Sequence, residues 1–225
     1  MRTLILHTPK GGSGKSTLAR EMAVAASRTM QVALADLDPQ GTTSGWYQRR
    51  DAKTPALVTL DPTKPVQHLA DAGVELLVID TPPGQPAYLG ALLTGADAVL
   101  VPVRPTPDDL LAAAPIAANL VRTRAWAFVL LQVPPRTRLL AGALRQLAAL
   151  GRVAPVQLTF RADYPAAAIT GQAASEFSGK AADEATALWA YVQTILGDAD
   201  AAPPEGKPGR SDRAQGRRAG RRDAG

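Results

Sequence analysis

The stretch His7–Thr17, HTPKGGSGKST, constrains this chain more than any other. It follows the apolar run Thr3–His7 and leads straight into an amphipathic stretch, Ser16–Thr29, so it joins a strand to a helix. Glycines in such a turn let backbone N–H groups face an anion, and the helix start adds its positive end. The sequence nearly fulfils the phosphate-loop pattern of glycine, four free positions, glycine, lysine and serine or threonine. Gly14, Lys15 and Ser16 fit. Pro9 stands where the first glycine belongs, and Lys10 adds a lysine that the ordinary loop does not need. This spacing places Lys10, Gly11, Gly12, Ser13, Gly14, Lys15, Ser16 and Thr17 around the phosphates of a nucleotide. Lys15 would reach the β- and γ-phosphates, and the Ser16 hydroxyl would ligate Mg²⁺.

Short β-type runs alternate with longer helical ones behind this motif. The expected strands are Thr3–His7, Val32–Asp36, Leu76–Asp80, Ala98–Val103, Ala127–Gln132 and Val156–Phe160. The expected helices are Ser16–Thr29, Tyr88–Leu93, Pro107–Thr123, Leu139–Leu150 and Ala181–Leu196. The strands read as continuous apolar runs, which suits a mostly parallel sheet covered on both faces. The expectation is a doubly wound α/β fold of the P-loop type, with ligands beyond the carboxyl ends of the strands. Acidic residues end two of those strands. ALADLDPQG sets Asp36 and Asp38 two residues apart, on one side of an extended segment, and LLVIDTPPG ends on Asp80. A carboxylate at Asp80 can hold Mg²⁺ through water.

Composition narrows the classes further. With 225 residues, 46% hydrophobic and 20% charged, the chain can build one good-sized core. It has no cysteine, which excludes a disulfide framework, a thiolate metal site and a Cys-ligated iron–sulfur cluster. No apolar run reaches the length of a membrane span, and the N-terminal run breaks into Pro and Gly too early for a signal peptide. Part of the net charge of +5 gathers at the end: Pro203–Gly225 holds seven basic residues against three acidic ones. With no apolar residue there larger than alanine or proline, the expectation is a folded domain over 1–197 and a disordered basic tail over 198–225.

KGGSGKST, DLDPQG, LLVIDTPPG and the Pro-rich VPVRPTPDDL together resemble the ParA family of deviant Walker-A ATPases. The likeness runs to about residue 196, through FSGKAADEATALW, and is strongest to the small ParF-like partition proteins. It implies a slow, partner-stimulated ATPase that uses ATP and Mg²⁺ and forms an ATP-dependent homodimer. Lys10 would reach across that dimer to the partner's phosphates. Asp38 would position the attacking water, and Asp36 would support Mg²⁺ and the loop. Thr81–Gly84 would sense the γ-phosphate, and Pro102–Asp109, with Pro105 on the nucleotide, would lie near the dimer interface. Gln132–Pro135 and Phe160–Tyr164 are the candidates for holding adenine.

The resemblance also implies that the dimer binds nonspecific DNA. Arg136, Arg138, Arg145 and Arg152, with Arg217, Arg218, Arg221 and Arg222 of the tail, are the candidate contacts. The best reading is plasmid or chromosome partition in the cytoplasm, on the nucleoid, with a small centromere-binding protein of the ParB or ParG kind as partner. The alternatives are an ATPase positioning another cargo, such as a conjugation complex or protein organelle, and an ATP-regulated scaffold with negligible turnover. A membrane switch of the MinD type needs a C-terminal amphipathic helix, and the tail has no Leu, Ile, Phe or Trp to build one.

Overall fold

The computed structural model describes residues 1–64, 66–121 and 123–198, and the remainder of the expected tail, including Arg217, Arg218, Arg221 and Arg222, lies outside the described residues. The elements follow in the order β1 (Arg2–Leu6), α1 (Lys15–Ala26), β2 (Val32–Asp36), α2 (Thr42–Gln48), β3 (Ala56–Val58), α3 (Gln67–Asp71), β4 (Leu76–Asp80), α4 (Leu89–Gly95) and β5 (Ala98–Val103). After them come α5 (Pro107–Leu111), α6 (Ala113–Asn119), β6 (Trp126–Val133), α7 (Leu139–Ala148), β7 (Leu158–Thr159), α8 (Asp163–Ile169), a 3-10 turn (Ala174–Glu176) and α9 (Lys180–Asp198). The strands form one sheet in the order β3-β2-β4-β1-β5-β6-β7, and every pairing is parallel.

The alternation of side chains along the strands builds two cores. Leu4, Leu6, Leu34, Val78 and Leu100 face α1 and α9, meeting Leu18, Met22, Leu188 and Val192. Ile5, Leu77, Ile79, Val99 and Val101 face the other way, onto Leu89 and Leu93 of α4, Ile116 of α6 and Leu147 of α7. Each fully buried Leu or Ile contributes roughly 1.5–3 kcal/mol, so both faces hold the sheet in register. That register sets Leu6 beside Asp80 and Asp80 beside Asp36. The ends of β2, β4, β1 and β5 therefore form one continuous edge.

The expected helix Pro107–Thr123 is two helices. Pro115 has no N–H, and its ring would clash with the carbonyl of Leu111, where α5 ends. The last expected strand shrinks to Leu158–Thr159. The register between β6 and β7 slips at Gln132, a non-glycine residue at φ 53°. Trp46 and Trp189 are buried and Trp126 packs edge-on against Phe128, so all three tryptophans serve packing.

Gly171 closes the turn after α8 at φ 71°, with its would-be Cβ only 2.4 Å from the backbone of Arg49 and Arg50. Gly171→Ala should destabilise the fold by more than about 1 kcal/mol, because neither the backbone angle nor the space suits a side chain. A urea midpoint equal to that of the unsubstituted protein would refute the tightness of this contact.

Candidate functional site

The loop between β1 and α1 opens its backbone towards the sheet edge. Gly12 and Gly14 adopt left-handed angles of 71° and 96°, and a Cβ on Gly14 would meet Leu131 Cδ1 at 2.8 Å. The first turn of α1 carries no side-chain cap and no acidic residue. Its leading N–H groups thus keep the unpaired, positive character that draws an anion. Ser13 and Lys15 are buried beneath the loop, and both donate to the Lys10 carbonyl at 3.2 Å. Burial lowers the pKa of Lys15, while the charges of Asp80 and Asp38 work to restore it. Gly11 is exposed, and Ser16 and Thr17 are half-buried at the start of α1.

Pro9 has a part of its own. Its carbonyl accepts the Gly84 N–H at 2.9 Å, which ties the Thr81–Gly84 turn to the phosphate loop. Thr81 Oγ1 donates to the Leu6 carbonyl at 2.9 Å and lies 3.2 Å from His7 Nδ1. With the hydroxyl proton so placed, His7 Nδ1 is the donor to Thr81. Burial, and then the Lys15 charge, push His7 down to about 4, so it stays neutral.

The three aspartates converge, each with a different task. Asp36 accepts from the N–H of Asp38 at 3.1 Å and of Ser44 at 2.8 Å, so its carboxylate anchors the β2–α2 turn. Asp38 accepts from Gln40 N–H at 3.0 Å and is half-buried on that turn. Asp80 is wholly buried. Its Oδ2 accepts from Thr43 Oγ1 at 2.7 Å, whereas its Oδ1 has no partner. Burial pushes Asp80 up to about 6, against the pull of the nearby Ser16 and Thr43 hydroxyls.

Lys10 turns away from Lys15. Its ammonium sits on Asp109 of α5, where Arg104 also binds, with Nε 2.7 Å from Oδ2 and Nη2 3.1 Å from Oδ1. Burial would raise the Asp109 carboxyl, but the hydrogen bonds from Arg104 and Lys10 prevail and hold it at about 2. Pro105 is buried in the turn between Arg104 and Thr106, the residue that caps α5.

A cavity of about 820 Å³ opens beside Gly14 and Thr17, walled by Leu131, Gln132, Leu158, Phe160, Arg161 and Ile169 among others. It lies within the size range of nucleotide and cofactor sites. Its outer wall is braced by Glu184 of α9, which accepts from Thr159 Oγ1 at 2.7 Å, Arg161 Nη2 at 2.7 Å and Tyr164 at 3.0 Å. Both expected adenine segments thus meet the cavity, through Gln132 and through Phe160–Tyr164.

Known proteins match this arrangement. The profile of the CobQ/CobB/MinD/ParA nucleotide binding domain fits residues 4–174. The chain belongs to the ParA/MinD family of ATPases. It is 31% identical to the maintenance of carboxysome distribution protein A of Halothiobacillus neapolitanus over 199 residues, 81% of this chain and 92% of that protein. It is 33% identical to the chromosome-partitioning ATPase Soj of Thermus thermophilus over 174 residues, 62% of this chain and 67% of that one. The fold superposes with a TM-score of 0.67 on an ATP complex of a Cyanothece McdA variant, at 17% identity, covering 88% of this chain and 96% of the other.

In this ParA/MinD-family ATPase, Ser16 and Asp80 are the residues that would hold a cation beside the phosphates. A buried carboxylate oxygen without a partner, next to a hydroxyl at a phosphate loop, suits a hard cation that keeps several waters. Among the described residues no group of three or more His, Cys, Asp or Glu side chains could cage a metal alone. Such a cation would therefore share its shell with phosphate oxygens and water. Sequence reasoning misses Thr43 and Glu184, since neither falls at a motif position tied to phosphate, and it places Arg104 and Asp109 within Pro102–Asp109 without the ion pair to Lys10.

The candidate DNA residues stand apart from this site. Arg136, Arg138, Arg145 and Arg152 are all exposed, the first two before α7, the third in its last turn and the fourth beyond it.

Lys15→Ala should weaken ATP binding by at least about tenfold, the value of one charge-assisted hydrogen bond to phosphate. Titration with a fluorescent ATP analogue measures this, and unchanged affinity would remove Lys15 from the phosphate site.

Proposed function

We propose that this ATPase is a positioning switch. ATP and Mg²⁺ join two copies face to face, the joined form binds DNA without sequence preference, and hydrolysis, stimulated by a small partner protein, separates them. The observation that carries this reading is the place of Lys10. It rests on a carboxylate that Arg104 also holds through both oxygens, so Lys10 can leave without stranding Asp109 as a buried, unpaired charge. The γ-phosphate of a facing subunit gives it a stronger partner, and a cation supplied in trans stabilises the charge that builds up during phosphoryl transfer. Lys15 and the N–H groups of the loop hold the phosphates of their own subunit. Asp38 orients the water, Ser16 and Asp80 hold Mg²⁺, and Asp36 keeps Asp38 in place. Adenine enters the cavity beside Gln132 and Phe160.

Arg136, Arg138, Arg145 and Arg152 support the DNA contact, since exposed guanidinium groups before, within and beyond α7 can meet a phosphate backbone. The tail arginines would add to it. Among the described residues no helix is long and apolar enough to cross a membrane. For the cargo, likeness over most of its length to a carboxysome distribution protein favours a protein organelle. The likeness to Soj supports a second reading, the partition of plasmid or chromosomal DNA with a ParB- or ParG-like partner. Deleting the gene in its host separates the two: clustered organelles mark the first, and loss of a replicon marks the second.

DNA binding at two salt concentrations, with ATP, with ADP and without nucleotide, tests the switch, using Asp38→Ala to stop turnover. Tight binding that weakens steeply with salt is expected with ATP alone, and equal binding in all three states would refute the switch. Lys10→Ala should bind ATP within about threefold of the unsubstituted protein yet form no ATP-dependent dimer. Normal dimers in light scattering would rule out its action in trans.

A further inference from the structure

Thr43 is a buried polar residue that the phosphate-loop chemistry leaves without a task. It lies in the first turn of α2 with no exposed surface, and its hydroxyl reaches from that turn to β4, donating to Asp80 Oδ2 at 2.7 Å. The other Asp80 oxygen is the one without a partner. From the opposite side, Asp36 grips the same turn through the N–H groups of Asp38 and Ser44. The segment carrying Asp38 is thus fastened at two points, one of them the carboxylate on the cation side.

We propose that Thr43 is a positioning residue for the divalent cation of the nucleotide complex. Its hydroxyl fixes the Asp80 carboxylate so that Oδ1 faces the cation's water, and it ties cation occupancy to the turn that carries Asp38. This rests on Asp80 as the cation-side carboxylate, as set out above. A carboxylate can turn about its terminal bond with little resistance, because that torsion is broad. A single strong hydrogen bond to one oxygen selects one orientation. Ser16 lies beside the same carboxyl, so turning it by even a few tens of degrees would change the distance between the two cation donors. Since Thr43 is fully buried, lies outside the phosphate loop and spends its hydroxyl on Asp80, its effect should appear only when the cation is present.

The test is the binding of N-methylanthraniloyl-ATP to the full chain, titrated with MgCl₂ and compared with binding in EDTA. Thr43→Val keeps the shape and removes the hydroxyl. It should raise the half-saturating Mg²⁺ concentration about tenfold, the worth of one hydrogen bond to a charged group, while affinity in EDTA stays within about twofold. Thr43→Ser keeps the hydroxyl and should return the Mg²⁺ requirement to within about twofold of the unsubstituted protein. An unshifted Mg²⁺ curve in Thr43→Val overturns the proposal. So does an equal loss with and without Mg²⁺, which would make Thr43 a packing residue. If Thr43→Val does not fold at the assay temperature, Thr43→Ala takes its place, and the same two results would overturn the proposal. A different failure, equal binding of the analogue by the unsubstituted protein with and without Mg²⁺, would refute the cation site itself.

Discussion

Asp80 has no exposed surface, and the register of an all-parallel sheet gives it no way out. Taking a carboxylate from water costs several kcal/mol unless charge and hydrogen bonds repay it. Here Thr43 satisfies one oxygen, and Lys15 and Ser16 act on the same carboxyl, yet the other oxygen is unmatched. The rise of its pKa to about 6 expresses that deficit. The arrangement explains why Lys15 is drawn under the loop despite its own burial, and why a threonine rather than an apolar residue starts α2. It also leaves the unmatched Asp80 oxygen suited to a cation. Moving β4 by one residue would turn Asp80 to the opposite face and dissolve the whole set.

The two lysines face opposite electrostatic situations. Lys15 is buried, with its charge supported at a distance by Asp80 and Asp38. Lys10 is half-exposed and bound directly to Asp109, a carboxyl held at about 2 by its cations. The Asp109 group is therefore electrostatically at rest, while Asp80 is not. A phosphate arriving in the loop relieves Lys15 and Asp80 at once, through the anion and its cation. It offers the Lys10 of the same chain little, because that ammonium already has a carboxylate. Under the function proposed above, a second, differently placed phosphate on a facing copy would compete for Lys10. Arg104, bound to both Asp109 oxygens, would ease that exchange by staying with Asp109.

The sheet was largely legible because strands buried on both faces leave unbroken apolar runs: Val32–Asp36, Leu76–Asp80 and Ala98–Val103 match residue for residue. The edge strand Ala56–Val58 left too short a run to register. Helix α2 was illegible for a different reason. TTSGWYQ holds a glycine and β-branched residues, which are poor helix formers. What fixes it is tertiary: Asp36 takes the N–H of Ser44, Thr43 binds Asp80, and Trp46 is buried. The break before Pro115 was present in the sequence and was overridden by a long alanine-rich pattern. The loop residues expected around phosphate stood out in the sequence because such chemistry demands fixed spacing. Asp109 fell inside the expected segment Pro102–Asp109, but its pairing with Lys10, 99 positions away, left no signal, and neither did Glu184, which acts through Arg161, 23 positions away.

That distance matters most at the cavity. The matched family profile ends at residue 174, and Glu184 lies beyond it on α9. Yet Glu184 gathers Thr159, Arg161 and Tyr164 into one wall, and burial, followed by its charge, raises the Tyr164 phenol so that its hydroxyl remains a donor. Gln132 faces that wall, its backbone bent to φ 53° and its amide on the Gly12 carbonyl at 3.4 Å. The phosphate end of the site is thus set by a motif shared across the family. The cavity end, proposed above to take the base, is set by a late helix and a strained strand end. Phosphate recognition needs the same N–H groups and lysine whatever the nucleotide, so discrimination between bases must reside in the second part. The Gln132 bulge links the two ends, because the residue that lines the base cavity also holds the loop that receives phosphate.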